Sequence, residues 1–241
     1  MSDPLLTLNK LHTHIGQFHI LQGVDLVVPR GSLSVLLGRN GAGKTTTLRT
    51  IMGLWPSSQG SVCFDGHQIG KSATPDIARM GIAYVPENMA IFSALTVKEN
   101  LYLAARNGAM DDGRLAWIFG FFPALKKFWN CPAGNLSGGQ KQMVAIARAV
   151  VEPRKLLLVD EPTKGLAPAI VRNLIAAFLE LKTTDTTILL VEQNFSFVRD
   201  LGDTVAVMDD GRIVHAGTMR ELVDDRDMQH SLLGLSLDSH Q

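Results

Sequence analysis

Apolar and polar positions along the 241 residues follow two periods, and the switches between them mark out the elements. From Leu5 to Val28 short apolar stretches are broken by Gly16, Gly23 and Pro29, with turn chemistry at Pro29-Arg30-Gly31. They predict several β-strands. Leu33 to Leu37 is a further strand, a glycine-rich loop follows, and Thr47 to Met52 reads as helix. Gly60 to Gly66 is a strand ending in an Asp-Gly turn. Ile82 to Val85 is a buried strand stopped by Pro86.

Gln140 to Val151 has strong helical spacing, and Lys155 to Asp160 is a continuous aliphatic run ending in acid. Such a run suits a parallel strand covered on both faces. Ile170 to Leu181 is helical, Thr187 to Val191 another buried strand, Thr204 to Thr218 a hairpin, and a polar helical tail begins at Met219. Between Thr96 and Trp129 the pattern changes to helical spacing rich in aromatics: Trp117, Phe119, Phe121, Phe122, Phe128 and Trp129. This predicts a mainly helical insertion in an otherwise α/β chain. The aromatics read first as core. An exposed patch that docks a partner is the alternative.

The loop between the third strand and its helix carries the first chemistry. Gly38-Arg39-Asn40-Gly41-Ala42-Gly43-Lys44-Thr45-Thr46 has the G-x-x-x-x-G-K-[ST] spacing of a phosphate-binding loop. Its glycines let successive N–H groups converge, and the helix N-terminus adds partial positive charge. Lys44 would reach the β- and γ-phosphates and Thr45 would hold Mg²⁺. The chain is therefore expected to bind a nucleoside triphosphate.

Composition narrows the partners. Lys+Arg and Asp+Glu are 23 each, so no basic surplus argues for nucleic acid. Cys63 and Cys131, far apart, suggest neither a metal site nor a disulfide framework, only inert thiols in a reducing cytoplasm. Met1-Ser2-Asp3-Pro4 does not begin a signal peptide, and no apolar run approaches membrane-spanning length.

Two further motifs follow the loop. Asp160-Glu161 places adjacent carboxylates at the carboxyl end of a buried strand, where ligands of open α/β sheets sit. Asp160 would face the Mg²⁺, and Glu161 would polarise a water for in-line attack. Leu136-Ser137-Gly138-Gly139-Gln140 opens a helix, either as a second anion-binding surface or simply with Ser137 as its cap.

Phosphate loop, Leu-Ser-Gly-Gly-Gln and Asp-Glu strand end, in this order, resemble the nucleotide-binding subunit of an ATP-binding cassette (ABC) transporter. The resemblance covers nearly the whole chain. It implies a P-loop NTPase core with an N-terminal antiparallel β subdomain and an inserted helical subdomain. On that view residues 1–241 are one ATPase domain, with the insertion at about 96–152 including the signature. It also implies a head-to-tail dimer, in which residues Leu136 to Gln140 of one subunit face the ATP held by the other. Partners would be a second ATPase subunit, membrane permease subunits and, indirectly, a periplasmic solute-binding protein. The chain would then lie at the cytoplasmic face of the membrane, with ATP and Mg²⁺ at its site.

Variants within the motifs narrow the resemblance. Val85-Pro86-Glu87 stands where most members have a metal-sensing glutamine, and Gln193 of Val191-Glu192-Gln193-Asn194 where most have a γ-phosphate histidine. With Phe122-Pro123-Ala124-Leu125 and Gly165-Leu166-Ala167-Pro168, these are similar to the shorter ATPase subunit of branched-chain amino-acid importers. ATPases of urea or amide importers, or of lipid exporters, are rival assignments. A soluble ABC ATPase acting on DNA or ribosomes, and a GTPase switch, lack their expected coiled coils, basic surfaces or guanine-reading motif. The adenine-stacking aromatic of the family falls at Ile15, beside His14 and Phe18, so stacking is weaker or comes from a neighbour. Gln193 can donate a hydrogen bond but carry no charge, leaving Glu161 as the general base. Lys164 stands where a small or apolar residue is usual, and reads as a solvated charge.

Overall fold

The computed structural model describes residues 3–105 and 109–234. Two sheets organise it. β1 (Pro4–Ile15), β2 (Phe18–Pro29), β4 (Ser57–Phe64) and β5 (His67–Gln68) form an antiparallel sheet in the order β2-β1-β4-β5. β3 (Leu33–Gly38), β6 (Ile82–Val85), β7 (Leu156–Asp160), β8 (Thr187–Glu192), β9 (Thr204–Asp209) and β10 (Arg212–Thr218) form the other. Its order is β10-β9-β3-β8-β7-β6, parallel from β9 to β6 with β10 antiparallel at one edge.

The expected break at Gly23 is not one. β2 runs unbroken through it, so the N-terminal region is one long hairpin turned at Gly16 and Gln17 rather than several short strands. Gly23 keeps its place with φ of 85°, which a glycine adopts inside a strand without strain. Gly23 is instead a bulge, skipped between the pairs Leu11 with Val24 and His12 with Gln22, and a second irregularity lies at Asn9-Lys10. Register slips there, Lys10 takes φ of 42°, and its carbonyl oxygen presses on Gly60 of β4, where a Cβ would sit 2.2 Å away.

The parallel sheet is covered on both faces, as its continuous aliphatic strands require. Val35 and Leu37 of β3, with Leu157 and Val159 of β7, join a core shared with the helices that follow β6. Leu36, Leu156 and Leu158 face a second core with Leu6 and Leu8 of β1 and Leu48 of α1 (Lys44–Ile51).

Between β6 and β7 lie α3 (Val97–Tyr102), α4 (Asp112–Phe121), α5 (Pro123–Lys127) and α6 (Gly138–Val150), after α2 (Thr74–Arg79) earlier in the chain. The aromatics here are packing residues. Phe122 is fully buried, and the others rest on the core edge to face: Trp117 on Phe121, Phe119 on Trp129. Trp117 Nε1 also donates to Glu180 Oε1 at 3.0 Å, pinning α4 to α7 (Pro168–Lys182). The alternative of a partner-docking patch is therefore not what these rings form. Phe92, ahead of them, is half exposed with Arg148 over its face, and Tyr102 of α3 is half exposed too. α8 (Phe195–Val198) lies between β8 and β9, and the expected helical tail from Met219 is α9 (Met219–Asp224) and α10 (Arg226–Leu233), broken at Asp225.

Asp65, in the Asp-Gly turn after β4, ties the two sheets. Lys155 and Arg30 each approach its carboxylate to 2.6 Å. Lys155 first, then Arg30, hold the Asp65 acid at about 2 against an ordinary 3.8. A depressed folded value contributes stability that is complete above the unfolded value and lost as pH falls through the folded one. An Asp65→Asn protein is therefore expected to lose less stability than its parent between those two pH values. Urea midpoints measured across that window check it, and parallel curves would refute it.

Candidate functional site

β3, β7 and β8 are parallel neighbours, so their carboxyl ends share one rim of the sheet, with the end of β6 beside them. The chain leaves β3 at Gly38, where no side chain fits: a Cβ would lie 2.4 Å from the Met208 carbonyl oxygen of β9. Gly41 and Gly43 turn the loop with φ of 82° and 106°. Gly43 brings no capping side chain to α1, so N–H groups of its first turn remain for an anion.

Lys44 is folded back into this loop. Its Nζ donates to the carbonyl oxygens of Gly38 and Arg39, at 2.8 and 3.0 Å, and lies 3.1 Å from Glu161 Oε1. Both side chains of this ion pair are more than nine-tenths buried. Glu161 itself sits just past β7 with φ of 44°, its N–H donating to the Val191 carbonyl of β8. Its second oxygen, Oε2, is buried with no hydrogen bond.

Asp160, the last residue of β7, is fully buried. The Thr45 hydroxyl donates to its Oδ1 at 3.0 Å and the Tyr84 hydroxyl to its Oδ2 at 3.1 Å. Burial pushes the Asp160 acid above its ordinary value, the two hydroxyls oppose this, and the Glu161 and Glu87 carboxylates add to it. Burial, with Asp160 behind it, likewise raises the Tyr84 phenol, which stays a donor. Tyr84 went unnoticed in the sequence, though its hydroxyl is the lone polar group in Ile-Ala-Tyr-Val. A buried carboxylate with a hydroxyl alongside is the oxygen donor set a hard divalent cation takes, with phosphate oxygens completing the shell.

A second unforeseen residue is Glu192, which ends β8 as Asp160 ends β7. It is buried, and its two oxygens accept from Thr163 N (3.1 Å), Thr163 Oγ1 (2.7 Å), Gln193 N (3.1 Å) and Asn194 N (3.2 Å). The loop after β7 is thereby clamped to the loop after β8. Burial raises the Glu192 acid, against the pull of those four donors. An acidic end to an aliphatic run was the available signal.

The structure gathers eight of the sequence-predicted residues into one pocket. Asn40, Gly41, Gly43, Lys44, Thr45 and Thr46 line it, with Glu87 and Glu161 opposite. Ile20 lines it too, whereas Ile15 is half-buried at the hairpin tip and Gln193 is exposed just beyond β8. Phe18, across from Ile15 on β2, is 63% exposed. Lys164 is solvent-exposed, as its sequence position suggested, but it is also paired. Its Nζ lies 2.6 Å from Glu87 Oε1 and 3.6 Å from Glu161 Oε2, because the turn after β7, closed by Lys164 N–H on the Glu161 carbonyl, brings it back over the pocket.

Leu136 to Gln140 stand apart from this pocket, where α6 begins. Ser137 Oγ accepts from Gln140 N at 3.3 Å and Gln140 Oε1 from Ser137 N at 2.9 Å, a reciprocal cap. Leu136 is buried, and Gly139 lies under Ile170 of α7, 2.6 Å from where its Cβ would be. α6 contacts β6, the edge strand three places from β3. The Ser137-Gly138 end is exposed and lies outside the lining of its own phosphate loop's pocket.

The sequence profile of the ABC transporter family matches residues 21–164. The chain belongs to the ABC transporter family. Its P-loop core, its antiparallel N-terminal sheet and its parallel sheet are the ABC ATPase fold, and the protein is an ABC transporter ATPase that binds ATP. It is 36% identical over 232 residues to BraG of Pseudomonas aeruginosa, a high-affinity branched-chain amino acid transport ATP-binding protein, covering 95% of this chain and all of that one. LivF of Archaeoglobus fulgidus, a probable protein of the same transport class, is 34% identical over 229 residues, covering 94% and 97%. Among solved structures, the ATP-binding subunit of an ABC transporter superposes with a TM-score of 0.80 at 29% identity, over 97% of this chain and 96% of that one. ABC ATPase subunits generally pair with a second ATPase and with membrane permeases. No helix among the described residues is long and apolar enough to cross a membrane.

Proposed function

We propose that this ABC ATPase powers an importer for branched-chain or related amino acids, with ATP bound at the 38–46 loop and cleaved by water that Glu161 orients. The observation that carries the catalytic part is the convergence of Lys44, Thr45 and Glu161 on one pocket, with the buried Asp160 bonded to Thr45. The solute assignment rests on end-to-end similarity to BraG and LivF, together with Glu87 and Gln193 in place of the usual glutamine and histidine.

In this reading the nucleotide's phosphates take Lys44 Nζ from the two loop carbonyls, and the N–H groups of α1 close around them. Thr45 and Asp160 hold Mg²⁺, with Glu87 within reach of the same pocket, and the ion supplies charge neutralisation for the phosphate oxygens. Glu161, released by Lys44, accepts a proton from the attacking water. Gln193 orients without carrying charge. Ile20 and Phe18 offer the apolar contact for the base that Ile15 cannot stack. Leu136 to Gln140 serve the nucleotide of a second subunit, and the rim near Glu87 meets the permease.

Affinity purification of the tagged protein from its native membranes tests the transport assignment. Two membrane subunits, a second ATPase and a periplasmic amino-acid-binding protein are the expected companions. Recovery of ribosomes or a lipid-export assembly instead would discard the solute class and leave the ATPase standing.

A further inference from the structure

Glu161 faces two lysines, and the mechanism above uses only one of them. In the nucleotide-free arrangement Lys44 holds Oε1 at 3.1 Å, while Oε2 is buried without a hydrogen bond and has Lys164 Nζ 3.6 Å away. Once Lys44 turns to phosphate, Oε1 loses its partner, and a buried carboxylate without a counter-charge is costly to hold in place. Among the described residues, Lys164 is the remaining cation within ion-pair distance. It does not drift over the pocket at random, because Glu87 fixes its Nζ from the far side at 2.6 Å. The order is acid, base, acid: Glu87 from the loop after β6, Lys164 and Glu161 from the loop after β7.

We propose that Lys164 is a positioning residue, which takes over the Glu161 carboxylate through Oε2 when Lys44 leaves it and ties that carboxylate to Glu87. The inference rests on the reading of Glu161 as the group that orients water. Lys164 lines the same pocket, and in this role it acts on the Glu161 carboxylate rather than on the nucleotide. Its effect passes through Glu161, so it bears on turnover and leaves nucleotide affinity alone. The Glu87–Lys164 pair also gives the rim beside β6 a direct electrostatic hold on the carboxylate. A shift of that rim by an ångström or so changes which acid Lys164 favours.

The test compares ATP turnover and affinity for a fluorescent ATP analogue in Lys164→Met, Lys164→Arg, Glu161→Gln and the double variant Lys164→Met/Glu161→Gln of the full chain. Methionine keeps the apolar stem and removes the charge. Lys164→Met is expected to lower kcat about tenfold, the scale of a misplaced catalytic group, with analogue affinity within about twofold of the parent. Lys164→Arg restores most of the loss, and the double variant turns over no more slowly than Glu161→Gln alone. Parental kcat in Lys164→Met overturns the inference, as does a loss that arginine does not recover or one that multiplies with Glu161→Gln. If Glu161→Gln itself turned over like the parent, the water-orienting role of Glu161 would fall, and the inference with it.

Discussion

Exchanging Glu161 for glutamine is expected to slow ATP hydrolysis by about 10²–10⁴-fold, the usual scale for a positioned base, while the protein still binds ATP. The substitution is nearly isosteric. It keeps an oxygen for the Lys44 contact and removes the negative charge and the basic lone pair. The other carboxylate lining the pocket among the described residues, Glu87, is held by Lys164 at 2.6 Å. Asp160 has both oxygens committed to Thr45 and Tyr84, and the Glu192 oxygens accept four hydrogen bonds on the other side of the loop. Gln193 cannot take a proton at neutral pH. Single-turnover phosphate release, paired with a nucleotide titration, separates chemistry from binding. Turnover close to the parent's would remove Glu161 from its role.

Lys44→Ala acts on the other half of the pair, and its expected effects fall on binding and on stability together. Loss of the ammonium takes away the charge that meets the β- and γ-phosphates, so affinity for a fluorescent ATP analogue should drop by tenfold or more, since hydrogen bonds to charged groups contribute about 1.5–3 kcal/mol. It also takes the Oε1 partner from Glu161, leaving it Lys164, 3.6 Å from Oε2. Removing one partner of a buried ion pair costs about 3–5 kcal/mol, tempered where the survivor can protonate. The Lys44→Ala protein should therefore melt at lower temperature than its parent without nucleotide, and the double variant Lys44→Ala/Glu161→Gln should recover much of that loss. Unchanged affinity in Lys44→Ala would contradict the phosphate-loop assignment. A double variant no more stable than Lys44→Ala would show that the buried pair is not the source of the instability.

What could be seen in the sequence was whatever local rules encode. The loop 38–46 announced itself because phosphate binding needs glycine, lysine and threonine at fixed spacing on one turn. Asp160-Glu161 did so because an acid ending an aliphatic run marks a strand end on the ligand side of a sheet. Contacts between distant stretches left no such trace. Tyr84 meets Asp160, Lys164 meets Glu87 and Thr163 meets Glu192 across 76, 77 and 29 residues, and only the strand order β8-β7-β6 brings them together. Gly23 misled because a glycine breaks a strand on average, whereas this one lies inside an unbroken strand at a φ its neighbours could not adopt.

The backbone at Glu161, with φ of 44°, occupies a region that costs a side-chain-bearing residue about 1–2 kcal/mol and glycine almost nothing. The phosphate-loop glycines are in the opposite position, since Gly38 admits no side chain whatever the chain is used for. The two sites therefore have unequal evolutionary fates. In a lineage released from the need to turn over ATP, folding would go on guarding Gly38, while residue 161 would drift towards whatever relaxes its backbone. A descendant with the loop intact and the glutamate gone would record, in its sequence alone, a subunit that had kept nucleotide binding as structure after giving up hydrolysis.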